Sequence, residues 1–373
     1  MKKVGIITYH AAHNYGSVFQ AVATQKIVEQ LGYQTQIINY RMKKQREFYS
    51  LYRTKLGYKN FIKDILQLPV HSKRKKRANK FEEFISSMMN LSKEFSEPEK
   101  MQKISEDYDV LISGSDQIWN KHSCEFEHNS WTFMKPYLLW GCKSKKVSYA
   151  SSIAQMSDEE MERISPALND FNYISMRERE SAIRIEKMLS KSVENVLDPT
   201  LLLNKSEWIR LIGINEQEEN YILYYSLDGI NDMKKRIKYL ILFAKKKGLK
   251  LKIVTPYCYF PCNDKCVEIH PEYGPAEFLI SLKNAKIVVT DSYHGTLFSI
   301  NFGKDFYSLC KKGGAEFRKT DILERLELDD RIIYDINQLN IKEFFPINYK
   351  SVNENLELWR TRSINYLQYA IEE

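Results

Sequence analysis

The sequence predicts an α/β protein built from two Rossmann-like domains that face a cleft. Three observations lead there. The chain has 373 residues, too many for one small domain and suited to two of about 150–200 residues each. Short apolar runs bounded by turn residues alternate with helical patterns, as in parallel sheets covered by helices. The alternation occurs as two series that meet near Asp198–Lys205.

The elements follow in order. Val4–Thr8 reads as a first strand and Gln34–Asn39 as a second, with a helix over Ser17–Leu31 closed by Gly32. Ala78–Met89 is helical. Asp109–Gly114 and Lys146–Ser151 are buried strands, and Ser157–Asn169 is a helix opened by an N-cap and acids in its first turn. Tyr173–Met176 is a short strand before a helix over Arg179–Leu189. The second series comprises strands over Tyr221–Leu227, Lys250–Thr255, Lys286–Thr290 and Asp305–Leu309. Its helices cover Asn231–Lys247, Pro275–Lys283 and Gly295–Phe302, the first and last closed by Gly248 and Gly303. The domains are therefore expected over 1–198, with a basic helical insert at 42–105, and over 199–350. A final helix, Asn353–Tyr369 within 351–373, is placed to fold back on the first domain.

Hydrophobic residues make up 43% and charged residues 28% of the chain, which fits a folded protein and excludes a disordered one. No apolar run reaches the ~18 residues of a membrane span. The opening stretch carries five apolar residues, too few for a signal-peptide core. Six cysteines do not form a disulfide scaffold and indicate a reducing cytoplasm.

The net charge of +8 is unevenly placed. Met42 to Lys80 holds 13 Lys or Arg against Glu47 and Asp64, so the remainder is net acidic by three. The densest run is Lys73-Arg74-Lys75-Lys76-Arg77, after a helical-period pattern of apolar residues from Phe48 to Leu66. Two readings fit: helices packed on their own domain with a solvated basic face, or a surface that lies on anionic lipid. No zinc-finger, helix-turn-helix or RNA-binding signature supports nucleic acid.

Ligands of such sheets sit beyond the carboxyl ends of the strands. The first strand runs into Asn14-Tyr15-Gly16-Ser17 at a helix start, where free N–H groups attract anions. The strand at 109–113 runs into Gly114-Ser115-Asp116-Gln117-Ile118-Trp119-Asn120. Asp116 is a candidate acid/base or sugar-hydroxyl acceptor, or a turn cap. Trp119 offers a ring to a sugar, or to the core. The strand at 286–290 runs into Asp291-Ser292-Tyr293-His294-Gly295-Thr296, placing a proton-exchanging side chain at a helix N-terminus. Cys258, Cys262 and Cys266 have tolerable zinc spacing, but three ligands do not close a structural site, and no metal is expected.

These motifs, with Met176-Arg177-Glu178-Arg179-Glu180-Ser181 and Leu197-Asp198-Pro199-Thr200-Leu201-Leu202, occur in one order from about residue 4 to 330. In that order and spacing the sequence resembles the polysaccharide pyruvyl transferase family of bacterial envelope biosynthesis. The resemblance implies a fold like the GT-B glycosyltransferases. It implies transfer of pyruvate from phosphoenolpyruvate, the donor substrate, to two hydroxyls of one sugar as a cyclic ketal, with no separate cofactor. Family acceptors are often lipid-linked sugars at the cytoplasmic membrane face. His294 falls at a histidine implicated in binding or protonating phosphoenolpyruvate, and Arg177 at an arginine expected to hold its carboxylate or phosphate. Several members carry an arginine where this chain has Ser292, and Arg318 is the candidate substitute.

The chemistry implied needs an acid at the vinyl carbon, a base for the sugar hydroxyl and cations for departing phosphate. His294 is assigned as acid or phosphate partner and Asp116 as base. Arg177, Arg318 and Lys311 form the anion clamp, and Ser292, Gly295 and Thr296 line the same site. Asn14, Gly16, Ser17, Gln117 and Trp119 are the positioning candidates. The rivals are a nucleotide-sugar glycosyltransferase, disfavoured by the lack of any Glu from Phe278 to Ala315, and a catalytically silent sugar-binding protein.

Overall fold

The computed structural model describes residues 1–52, 68–123, 126, 131–215, 217–255, 262–311, 317–343 and 345–373. The apolar pattern from Phe48 to Leu66 lies mostly outside them, as does Cys258. The chain divides into two compact units. The first comprises Met1–Gly57, Ile85–Leu203 and Glu357–Glu373, and the second Tyr58–Phe84 and Asn204–Leu356.

In the first unit, β1 (Lys3–Ile7), β2 (Gln34–Ile37), β3 (Val110–Ser113) and β4 (Lys145–Ser148) form a sheet in the order β2-β1-β3-β4. Every pairing is parallel. β5 (Ile174–Met176) and β6 (Val193–Asn195) pair in parallel beside it, tied to β4 by a Val147–Tyr173 bridge. The second unit holds one parallel sheet of six strands in the order β12-β11-β10-β7-β8-β9. These are β7 (Tyr221–Tyr225), β8 (Lys250–Val254), β9 (Val267–Ile269), β10 (Ile287–Thr290), β11 (Asp305–Leu309) and β12 (Ile332–Ile333). The central strands β3, β7 and β10 are buried at every position, as parallel strands covered on both faces must be. This is the expected α/β class with parallel sheets.

Where boundaries differ, local chemistry explains it. The helix expected over 157–169 is two helices, Asp158–Glu162 and Ser165–Asn169. Pro166 has no N–H to continue the first and suits the start of the second. β4 ends early, ahead of Ala150, which adopts left-handed backbone. The first helix begins at Tyr15, since Asn14 caps it by accepting from Gly16 N at 2.9 Å. Helix Phe317–Arg325 and strands β6, β9 and β12 were not expected; the three strands are two or three residues long and carry little periodic signal.

The segment Tyr58–Phe84 groups with the second unit, whereas the sequence assigned it to an insert of the first domain. Its helix, His71–Met88, is held there by Lys73 with Glu272 at 3.5 Å and by Lys80 with Glu277. Phe81 on its inner face is fully buried, and Lys73, Lys75 and Lys76 are exposed. For these residues the apolar face is used in packing, and the basic face meets solvent. The last helix, Tyr349–Glu372, binds the first unit through its C-terminal half. Arg360 Nε donates to Leu201 O at 2.8 Å, Ser363 Oγ accepts from Leu197 N at 3.0 Å, and the Tyr366 hydroxyl donates to Ser148 O at 3.1 Å.

Candidate active site residues

In the first unit the chain leaves β3 through Gly114, whose φ is +132° and where a Cβ would stand 2.0 Å from Tyr149 O. Only glycine fits this approach. Asp116 follows at φ +80°, a conformation costly for a residue with a Cβ and found where surroundings enforce it. Its Oδ2 accepts from Ser17 Oγ at 2.7 Å and its Oδ1 from Gln117 N at 2.8 Å. Gln20 steadies the turn, donating to Thr8 Oγ1 at 2.7 Å and accepting from Ser115 N at 3.1 Å. The ends of β1 and β3 and the start of the first helix are thus joined in one buried polar network, and Asp116 and Ser17 meet in it.

Arg177, just past β5, has a side chain 1% exposed. Its Nη1 lies 3.1 Å from Asp198 Oδ2 and 3.8 Å from Asp116 Oδ1, and its Nε 3.2 Å from Glu178 Oε1. Asp198 Oδ1 caps helix Pro199–Leu202, accepting from Thr200 N at 3.0 Å and Thr200 Oγ1 at 2.7 Å. Three carboxylates therefore surround one guanidinium. That environment orients Asp116; it is not the open cation the sequence suggested for an anion clamp. Trp119 is also corrected. It is fully buried, donates from Nε1 to Tyr137 O at 3.0 Å and meets Phe171 edge-on at 5.4 Å. It belongs to the core and offers no ring to a sugar. Asn14 and Gly16 form the helix cap already described, and Gln117 Oε1 accepts from Asn120 Nδ2 at 2.9 Å.

In the second unit the residues after β10 are tightly specified. Ser292 caps helix Tyr293–Asn301, accepting from Gly295 N at 3.3 Å. At Gly295 a Cβ would lie 2.5 Å from Thr290 Oγ1 and 3.0 Å from the Tyr225 ring. Thr296 is fully buried, and its hydroxyl bonds Ser292 O at 3.1 Å and Ser308 Oγ at 2.9 Å. Ser292, Gly295 and Thr296 thus build the helix start from within. His294 is half-buried beside Tyr293, the rings edge-to-face at 5.2 Å. The Arg318 guanidinium stands 5.7 Å from the Tyr293 ring centroid, so Arg318 and His294 flank one tyrosine. Lys311 is exposed and pairs with Asp228 at 2.7 Å and Asp232 at 3.7 Å. The Asp228 hydrogen bond is the main reason its ammonium is held above the usual lysine range.

Other charged groups here were missed by sequence reasoning. Asp291 accepts from Leu227 N at 2.7 Å, Arg236 Nη1 at 2.9 Å and the Ser226 hydroxyl. Burial raises its carboxyl, opposed by the Leu227 N–H, the Ser226 hydroxyl and Arg236. Arg236 Nη2 also pairs with Asp228 at 2.7 Å. Lys319 is buried and donates to Asp291 O and Leu309 O. Asp291 sits in a motif the sequence singled out, but Arg236 and Lys319 lie on helices with no motif signal. Cys262 and Cys266 are free thiols, and burial with the nearby Asp264 pushes the Cys266 thiol up to about 11. Among the described residues no cluster of His, Cys, Asp and Glu is arranged to hold a metal.

Both sites lie where parallel α/β sheets place ligands, at carboxyl ends of strands followed by helix starts. The fold is GT-B-like. Among solved structures, the chain is similar to Arabidopsis thaliana UGT89C1 complexed with quercetin (10% identity, TM-score 0.55, 99% of each chain covered). It is also similar to UDP-GlcNAc 2-epimerase from Methanocaldococcus jannaschii (10% identity, TM-score 0.54, 96% of this chain and 93% of that one). No curated protein matches the chain by sequence. Residues 14–309 match the polysaccharide pyruvyl transferase family, and the chain belongs to that family.

Proposed function

We propose that the protein transfers pyruvate from phosphoenolpyruvate to two hydroxyls of one sugar in an envelope saccharide, forming a cyclic ketal and releasing phosphate. The observation that carries the reading is the family match over residues 14–309. A proton adds to C3 of phosphoenolpyruvate, making it a methyl group. One sugar oxygen bonds to C2, phosphate leaves with the electrons of its C–O bond, and the second sugar oxygen bonds to C2. One hydroxyl proton balances the methyl group and the other leaves with phosphate.

His294 is assigned as the acid or phosphate partner, supported by its place at a helix start with Arg318 across Tyr293. Arg318 and Lys311 are assigned to the donor's anionic groups. Asp116 is assigned as the base, with Ser17 orienting its carboxylate and Arg177 matching its charge. Asn14 and Gln117 shape the turns around it. The acceptor is read as lipid-linked, and residues 42–80 as a basic surface for anionic membrane on the cytoplasmic face; the exposed Lys73, Lys75 and Lys76 support this. No helix among the described residues is long and apolar enough to cross a membrane.

The test incubates the protein with phosphoenolpyruvate and a panel of lipid-linked and synthetic glycosides. The expected result is phosphate release matched by an acceptor mass gain of one pyruvate ketal, lost in H294A. Near-wild-type turnover in H294A removes His294 from the scheme. A thermal shift with a nucleotide sugar and none with phosphoenolpyruvate favours a glycosyltransferase instead. Acceptor binding without phosphate release favours a silent sugar-binding protein.

A further inference from the structure

A cavity of about 700 Å³ opens in the first unit, at the amino ends of β5 and β6. The C-terminal half of the last helix forms one wall through Arg362, Asn365, Tyr366 and Tyr369. The volume falls within the roughly 300–1,000 Å³ of small-ligand sites. Arg177 follows the carboxyl end of β5, so the cavity lies at the end of that strand opposite to the Asp116 network. The reaction proposed above makes no use of it.

The lining is aromatic and mostly neutral. Tyr173, Tyr366 and Tyr369 contribute rings, beside buried Phe171 and Ile174. Tyr369 is 56% exposed and meets the Tyr173 ring edge-on at 5.4 Å. The Tyr366 hydroxyl is spent on Ser148 O, which fixes that ring. Ser192 and Asn365 are exposed, and among the described residues neither side chain has a hydrogen-bond partner. Arg362 Nη2 pairs with Glu194 Oε2 at 2.7 Å, so those charges offset each other, and Arg362 has further N–H groups beyond the one used. Lys191 is the other cation, and its ammonium already donates to the Asn169 and Phe171 carbonyls. A sugar suits such a lining. Its C–H face packs on an aromatic ring, and its hydroxyls both donate and accept, as amides, hydroxyls and an Arg–Glu pair require. A nucleotide would need several converging cations for its phosphates. A wholly apolar ligand would cover the polar groups without pairing them.

We propose that this cavity is a second saccharide site, which holds sugar units of the polysaccharide away from the point of reaction. For the origin of its ligand it rests on the functional reading above. The test is a saturation-transfer NMR titration of the full chain with maltohexaose, cellohexaose and chitohexaose, for the wild type, Y369A and N365A, with the melting temperature of each. The wild type is expected to bind at least one of the three sugars. Y369A and N365A are each expected to weaken that binding at least about fivefold while still melting cooperatively, since both side chains are exposed. If Y369A does not fold, N365A decides. Binding unchanged in a folded variant overturns the proposal, as does a wild type that binds none of the three. The titration needs no phosphoenolpyruvate, so the two readings fail separately. Phosphate release by a protein whose saccharide binding ignores Tyr369 and Asn365 removes this site and keeps the function. Saccharide binding that depends on both residues, without phosphate release, keeps the site and removes the function.

Discussion

Gly295 and Gly114 carry their local structure through what they lack. A methyl group at Gly295 meets Thr290 Oγ1 at 2.5 Å, and one at Gly114 meets the Tyr149 carbonyl at 2.0 Å on backbone at φ +132°. Gly114→Ala is expected to cost about 1–3 kcal/mol or more, because backbone must move. Gly295→Ala should cost less, since it meets a side chain rather than backbone, though Thr290 is buried and its hydroxyl is held by Tyr225 O at 2.8 Å and Ser292 N at 3.0 Å. Denaturant midpoints of the two variants check the order. Glu160 gives a pH-dependent prediction. Its carboxylate is partly buried, but Lys121, the Ser157 N–H and His122 outweigh that and hold it at about 2. A depressed carboxyl stabilises the fold above its unfolded value, near 4.5, and the contribution is lost as pH falls toward 2. Wild type should therefore lose more melting temperature than E160Q between pH 5 and pH 2.5. Equal slopes would show that Glu160 makes no difference to acid stability. At the candidate site, R318A should raise the Michaelis constant for phosphoenolpyruvate at least tenfold with a smaller change in kcat. An unchanged constant removes Arg318 from the anion clamp.

Helix starts in the structure are set by capping chemistry. Asn204 caps helix Lys205–Ile212, accepting from Glu207 N at 3.0 Å while Glu207 Oε2 accepts from Asn204 N at 2.7 Å. Asn204→Ala should cost about 1 kcal/mol, read as a drop of roughly 2–4 °C in the melting temperature of its unit. The same capping chemistry occurs at Asn14, Ser157 and Ser292, and of these only the Ser157 cap was read from the residues alone. Arg179–Leu189 and Asp305–Leu309 were expected with the bounds they have. Strands β6, β9 and β12 were not legible, because their hydrogen bonds depend on a neighbour distant in sequence. The candidate site was legible as motifs but not as roles. Asp116, His294 and Ser17 were found by position at strand ends, and Arg177 through the family resemblance. Trp119 lies in the core; a motif does not say which way a side chain points.

For the molecule as a whole, the charge total of +8 matters less than its distribution. The basic run at 73–77 lies on a helix whose apolar side is packed and whose Lys73, Lys75 and Lys76 are exposed. If this face meets anionic membrane, the purified protein should sediment with phosphatidylglycerol vesicles at low salt and release as salt rises. Charge reversal of Lys73–Arg77 should abolish sedimentation; sedimentation that persists assigns the basic run another purpose. The sequence by itself determined the α/β class, the double series of strands and helices, and the family, since these follow from local periodicity, caps and ordered motifs. Only the tertiary structure decided that Arg177 is enclosed by three carboxylates, that Tyr58–Phe84 groups with the second unit, and that Lys319 clasps two strand ends. Each depends on residues far apart in the chain, and burial and charge pairing are set by what folding brings next to a side chain, which no local pattern encodes.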